Sequence, residues 1–347
     1  MRRYVASIQK GKTFFRNGFG PATKSTQAIL SYTTPTGTSL ARHLTQHYLS
    51  PQIDYLKSHR PISISMGNAI RWLKDYIVRI DPDADEKEAI LDICSAIDTF
   101  IRERITVADT AISGTASSKI RDGSTIVTFA KSSIVEQSLV RAHNEGKRFK
   151  VIVIDSRPLF EGKNLARRLA AAGIETQYML LSAAGHAMRY ADLVLLGAHA
   201  MMANGRLYSR VGTASVAMLA HSRDVPVIVC CESIKFTDRV ALDSIVQNEI
   251  APPDELLVPH STNLSIPEVN DSAKSGGQRG KEVEDKESVV DGGLARWRDV
   301  PGLQLLNILY DVTPAEFIDM VVTEYGSLPP TSVPVVHRIS TERDVRA

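Results

Sequence analysis

The chain has 347 residues, 43% of them hydrophobic and 23% charged, the make-up of a folded protein with one large core or two smaller ones. A formal net charge of +2 supplies no bulk field for nucleic acid or an anionic membrane. The longest apolar runs, VIVID and LVLLGA, fall far short of the roughly 20 residues a membrane span needs.

The first stretch, MRRYVASIQKGKTFF, is basic but lacks the apolar core of a secretory signal. The triplet GKT at 11–13 has the ending of a phosphate-binding loop, but Ala6 stands where that loop needs glycine, and no strand precedes it. Residues 1–120 then read as helical. TSLARHLTQHYL and PISISMGNAIRWLKDYIVRI carry apolar residues at helical spacing. In DEKEAILDICSAIDTFIRERI, a stripe of Ile90, Ile93, Ile97, Phe100, Ile101 and Ile105 predicts one buried face. Asp83, Asp85 and Glu86 lie near its start, where acidic groups suit the helix dipole. Pro35, Pro51, Pro61 and Pro82 separate the segments.

From about 121 short β-rich runs alternate with helical patterns. STIVTF, KVIVIDS, TQYMLLS, DLVLLGA and PVIVCCES predict strands. SSIVEQSLVRAHNEG, GKNLARRLAAAG and TASVAMLAHSRD predict helices between them. Strands apolar on both faces and separated by helices predict a buried parallel sheet. The expected organisation is a helical domain over 1–120 and an α/β domain over 121–347. Residues 260–298 are polar, charged and nearly free of large apolar side chains, the composition of an insertion without fixed structure. Beyond it, LQLLNILYDVTP and VPVVHRI read as strands around a helix, PAEFIDMVVTEYG.

Three cysteines, Cys94, Cys230 and Cys231, the last two adjacent, make an unpromising disulfide set. The expected compartment is therefore the reducing cytosol, where the sequons at Asn263 and Asn270 are silent. Cys230 and Cys231 read as small core side chains.

Candidate chemistry collects at strand ends. No GxGxxG follows the first strand of the α/β part, so a dinucleotide site has no support. Asp155 and Arg157, before Pro158, either bind sugar hydroxyls and phosphate or tie the loop by a salt bridge. In SRVGT, Ser209, Arg210 and the amides of Gly212 and Thr213 either hold an anion at a helix start or serve only to cap it, with Thr213 as the cap. His199, in GAHAMMANGRLYSRVGT, is an acid, a base, a ligand or a plain loop histidine. No second ligand stands at metal spacing, so neither metal nor cofactor is expected. Arg60, Arg71, Lys74 and Arg79 lie on or beside one predicted helix, as a contact for an acidic or phosphorylated partner or as a solvated face. Leu303, Leu305, Leu306, Leu309 and Tyr310 form a run that is either core or an obligate subunit interface.

Taken together, RPISISMGNAIRWLK, VIVIDSRPLFEGKNLARRL, VGTASVAMLAHSRDVPVIVCCESIKF and LYDVTP resemble the alpha/beta/delta family of initiation factor 2B subunits, over about residues 20–340 outside the insertion. The resemblance implies a Rossmann-like α/β domain behind a helical one. It also implies common ancestry with isomerases acting on methylthioribose 1-phosphate and ribose 1,5-bisphosphate. Those enzymes place a cysteine after the first strand of the α/β domain and an aspartate after the glycine of a GAD motif. The matching residues here are Ala130 and His199. Alanine has no titratable group and histidine lacks its partner, so the resemblance implies a scaffold without isomerase chemistry, with Asp155, Arg157, Pro158 and SRVGT as its vestigial pocket. The implied role is a regulatory subunit of the guanine nucleotide exchange factor for translation initiation factor 2. Its partners would be the beta, alpha, gamma and epsilon types of subunit, and initiation factor 2 through its alpha subunit, whose phosphorylation it would sense. The alternatives are a working sugar-phosphate isomerase and a ligand sensor of the same fold.

Overall fold

A computed structural model describes residues 40–81, 84–246, 248–257, 294 and 296–338. The GKT triplet, both sequons, Pro82, Asp83 and nearly all of the 260–298 segment lie outside the described residues.

The helical part begins with α1 (Leu40–His43), which runs through a π-type stretch (Leu44–Leu49) into α2 (Ser50–His59). An extended link at Arg60–Ser63 leads to α3 (Ile64–Val78), whose N-cap Ser63 accepts a hydrogen bond from the Met66 amide at 3.3 Å. Next comes α4 (Glu86–Ile101), capped by Asp85, which accepts from the amides of Lys87 and Glu88. The acidic start read from the sequence is thus a cap as well as a charge on the helix dipole.

The predicted stripe packs through Ile90, Ile93 and Ile97, with Ile101 beside them, against Leu44, Leu73 and Ile77 of the other helices. Trp72 stacks on Phe100 at 4.1 Å. Ile105 does not continue the stripe and is 40% exposed. It lies in a second π-type stretch (Arg102–Val107), where i→i+5 bonding shifts the register of the faces. That stretch runs on into α5 (Ala108–Lys119), which turns Ile112 and Ala116 into the core beside the sheet.

The sheet follows the predicted alternation: β1 (Thr125–Phe129), α6 (Ser133–Asn144), β2 (Lys150–Asp155), α7 (Gly162–Ala171), β3 (Glu175–Leu180), the short α8 (Ala184–Ala187) and β4 (Leu193–Gly197). Then come β5 (Ala200–Met201), β6 (Leu207–Arg210), α9 (Thr213–His221), β7 (Val227–Cys230), β8 (Tyr310–Thr313), β9 (Met320–Thr323) and β10 (Gly326–Leu328). Seven strands lie in the order β10-β9-β7-β4-β1-β2-β3, parallel except for β10. Inner strands are buried on both faces: Val127, Val151, Val153, Val194, Leu195 and Val229 are all fully enclosed, as a sheet covered by helices requires. No helix among the described residues is long and apolar enough to cross a membrane.

Three segments depart from the sequence expectation. PAEFIDMVVTEYG is not a helix but a turn (Ala315–Phe317) followed by β9, whose Val321 and Val322 fill a buried parallel pairing with β7. β-branched residues suit that slot better than a helix. VPVVHRI is helical over 333–338, with Val333 and Val336 on the core at helical spacing. LQLLNILYDVTP contributes only β8, in a separate antiparallel sheet of order β5-β6-β8. The same small sheet absorbs the motif after β4, which folds back as a β5–β6 hairpin instead of passing straight into a helix.

Candidate functional site

The parallel strands aim their C-terminal ends at a cavity of about 960 Å³. This is the crevice where open α/β sheets hold ligands. Ala130 follows β1 and adopts a left-handed φ of 53°, turning the chain into α6. Gly197 ends β4 with its Cα directly under the Ser132 side chain, and a Cβ there would overlap it. The roof is the α2–α3 link, Arg60 to Ser63, and one wall is the small sheet, with Tyr208, Ser209, Arg210 and Tyr310.

His199 leaves β4 into this cavity. Its amide donates to the Tyr208 carbonyl at 3.0 Å, and its ring lies 4.5 Å from that of Tyr310 and 5.6 Å from that of Tyr208. Burial, followed by the charges of Arg210, Lys235 and Arg60, holds its pKa down at about 3. The imidazole is therefore neutral at physiological pH, wedged in an aromatic stack.

Arg210, at the end of β6, forms a bidentate pair with Glu161, Nε and Nη2 donating at 2.9 and 3.0 Å. Its guanidinium also sits 5.2 Å from the Tyr310 ring. Burial, the largest single effect, would lower its pKa, but the charge and hydrogen bonds of Glu161 together with Tyr310 outweigh it and the net shift is upward. Ser209 donates to the Gly197 carbonyl at 3.1 Å, tying the small sheet to β4.

The start of α9 is already filled. The Asp311 carboxylate accepts from the Gly212 amide at 2.6 Å and the Ala214 amide at 3.0 Å. Burial raises its pKa to about 6 while those two amides pull it back. Thr213 does not cap the helix as its sequence suggested: its hydroxyl donates backward to the Arg210 carbonyl, and Gly212, at φ 106°, takes the cap position.

Asp155 and Arg157 do not pair among the described residues. Asp155 is buried and accepts from the Ser156 amide at 3.0 Å, the Lys163 amide at 3.1 Å and the Tyr178 hydroxyl at 3.1 Å. Burial raises its pKa against those bonds. Gly162 is needed beside it, because a Cβ would meet its carboxylate at 2.9 Å. Arg157 is exposed, and with Pro158 it borders a side cavity of only about 20 Å³.

The four candidate basic residues do not share one face. Arg60 points inward, Nε and Nη2 donating to Glu249 at 2.7 and 3.0 Å and Nη2 also to the Tyr310 hydroxyl at 3.0 Å. Arg71 and Arg79 are exposed, and Lys74 is half-buried with a bond to Ser50 Oγ at 3.3 Å. The five-residue leucine run divides as well. Leu309 and Tyr310 are core residues at 4% exposure, Leu303 and Leu305 are half-buried, and Leu306 stands out at 67%.

Sequence reasoning missed Glu161, Glu249, Asp311 and Lys235. Each acts through a contact distant in sequence or hidden in a loop; Lys235 pairs with Glu232 at 2.6 Å on the cavity wall. Only Asp311 carried a local signal, an acidic residue in the middle of an apolar strand, which implies a buried partner. Among the described residues no cluster of three His, Cys, Asp or Glu could hold a metal ion.

Known proteins share both the sequence pattern and the architecture. Residues 23–330 match the profile of the Initiation factor 2 subunit family. The chain is 45% identical to translation initiation factor eIF2B subunit delta of Schizosaccharomyces pombe, over 89% of this chain and 61% of that protein. It thus spans about three fifths of that relative's length. It is 30% identical to ribose 1,5-bisphosphate isomerase of Pyrococcus furiosus, over 79% of this chain and 74% of the enzyme. Among solved structures, the tetrameric eIF2B beta2-delta2 complex of C. thermophilum contains a chain that superposes with a TM-score of 0.70 at 36% identity, covering 86% of this chain and 82% of that one.

Proposed function

The chain belongs to the Initiation factor 2 subunit family, and from that premise we propose that it is a non-catalytic, delta-type regulatory subunit of the guanine nucleotide exchange factor for translation initiation factor 2. The exchange chemistry then belongs to another subunit. This chain helps build the core by pairing with a beta-type subunit, as the name of its structural neighbour suggests, and it takes part in sensing phosphorylation of the alpha subunit of initiation factor 2.

The observation that carries the non-catalytic part is the strand-end chemistry. Ala130 and His199 stand where the resemblance places the isomerases' cysteine and aspartate. An aldose–ketose isomerisation needs a group that exchanges a proton at the substrate. A neutral histidine stacked between tyrosines, with a pKa near 3, is a poor base and at neutral pH has no proton to release as an acid. The helical part supplies the sensing surface in this reading. Of the basic candidates, Arg71, Lys74 and Arg79 face outward or partly so, whereas Arg60 serves the cavity roof.

Native mass spectrometry of the chain, purified gently from its own host, tests the subunit reading. Recovery in a large assembly of several different subunits is expected. Recovery as a lone homodimer or homohexamer overturns it. Charge reversal at Arg71 and Lys74 tests the sensing surface: exchange should lose its inhibition by the phosphorylated partner, and unchanged inhibition removes the assignment.

A further inference from the structure

Two guanidinium forks on the cavity wall, and the helix start beside it, are each answered by one of the chain's own carboxylates. Glu161 takes Nε and Nη2 of Arg210. Glu249 takes Nε and Nη2 of Arg60. Asp311 takes the free amides at the start of α9. The remaining space is ample for a sugar phosphate, about 960 Å³. Arg210 Nη1 is buried and has no hydrogen-bond partner among the described residues, and the exposed Lys131 and Arg239 also line the cavity.

We propose that this cavity is a latent site for a phosphate monoester, held shut by an internal anion, and that Glu161 is the residue that excludes the ligand. The inference deepens the non-catalytic reading above and rests on it. A phosphate that engaged the Arg210 fork would have to lie where the Glu161 oxygens lie, or beside them, with like charges in contact and little water between them. The other two carboxylates do different work. Asp311 caps a helix, and Glu249 fastens Arg60 and, through it, Tyr310. Among the described residues the Glu161 carboxylate pairs with Arg210 alone, on the cavity wall, from the position just ahead of α7. Glu161→Gln keeps the shape and removes the charge.

The test is calorimetric titration of the full chain, with whatever subunits accompany it, by inorganic phosphate and by ribose 5-phosphate. The unaltered chain should show no saturable binding. Glu161→Gln and Glu161→Ala should each bind at least about tenfold more tightly than it does, and Arg210→Ala on the Glu161→Gln background should abolish the gain. Binding by the unaltered chain as tight as by the variants overturns the proposal, as does a failure of both Glu161 variants to bind. Should neither variant fold, the unaltered chain still decides: saturable phosphate binding lost in Arg210→Ala refutes exclusion, and its absence upholds it. Conversion of ribose 1,5-bisphosphate is followed in parallel. Turnover would overturn the non-catalytic reading itself, whereas tight binding by the unaltered chain without turnover overturns only the role of Glu161.

Discussion

His199 makes the stability of this fold depend on pH in a calculable way. Its pKa is about 3 in the folded chain, against the ordinary histidine value of 6.5. Below pH 6.5 the unfolded chain takes up a proton that the folded chain refuses until about pH 3, so stability is lost as pH falls through that window. Between pH 7.5 and 5.0 the loss is about 2 kcal/mol, treated as an upper figure because solvent reaching the cavity softens the burial effect. His199→Phe keeps an aromatic ring against Tyr310 and Tyr208 and removes the proton site. Asp311 titrates in the opposite sense, its raised pKa making the fold gain stability as pH falls below about 6, but it does so in both proteins and cancels in the comparison. Urea unfolding of both chains at the two pH values gives the difference of differences. The Phe variant should lose about 2 kcal/mol less than the parent on acidification. Equal losses in the two proteins would show that the ring is not held neutral by its surroundings, and that burial and the nearby cations do not set the cavity's electrostatics.

Other expectations follow from single contacts. Asp311→Ala orphans two amides at the start of α9 and should cost about 2–4 kcal/mol by urea unfolding; a loss under about 0.5 kcal/mol would remove its capping role. Gly197→Ala drives a methyl into Ser132 and should cost about 1–3 kcal/mol. Ser132→Gly should restore most of that in the double variant, and simple additivity would count against the contact. Leu306→Asp, at the one strongly exposed member of the leucine run, should leave the melting temperature within a degree or two and shrink the assembly on a sizing column. Full assembly with normal yield would place the pairing surface elsewhere.

The sheet was legible in the sequence because its strands are short, apolar on both faces and punctuated by helices. STIVTF, KVIVIDS and DLVLLGA could hardly be anything else. The errors came where period and context conflict. MVVT in PAEFIDMVVTEYG sits next to residues at helical spacing, and only the vacant slot beside β7 makes it a strand. VPVVHRI is too short for its period to distinguish strand from helix. The site was legible as a place but not as a chemistry. His199, Arg210 and Asp155 do gather near one another, yet their meaning depends on Glu161, Tyr310 and the main-chain amides around Asp155, which the fold brings in from elsewhere. The basic residues around α3 were grouped by helical proximity, and the link preceding that helix turned Arg60 the other way.

The run from α4 through the π-type stretch into α5, Glu86 to Lys119, is continuous. At 1.5 Å per residue it is a rod about 50 Å long. One end is set in the sheet's core by Ile112 and Ala116, and the other carries the packing of the remaining helices through Ile90 and Ile93. A tilt of about 5° at the rooted end sweeps the far end through about 4 Å over such a length. Whatever presses on the outer helices is thus geared down to a small, stiff displacement at the sheet, and any rearrangement among strands is magnified on its way out.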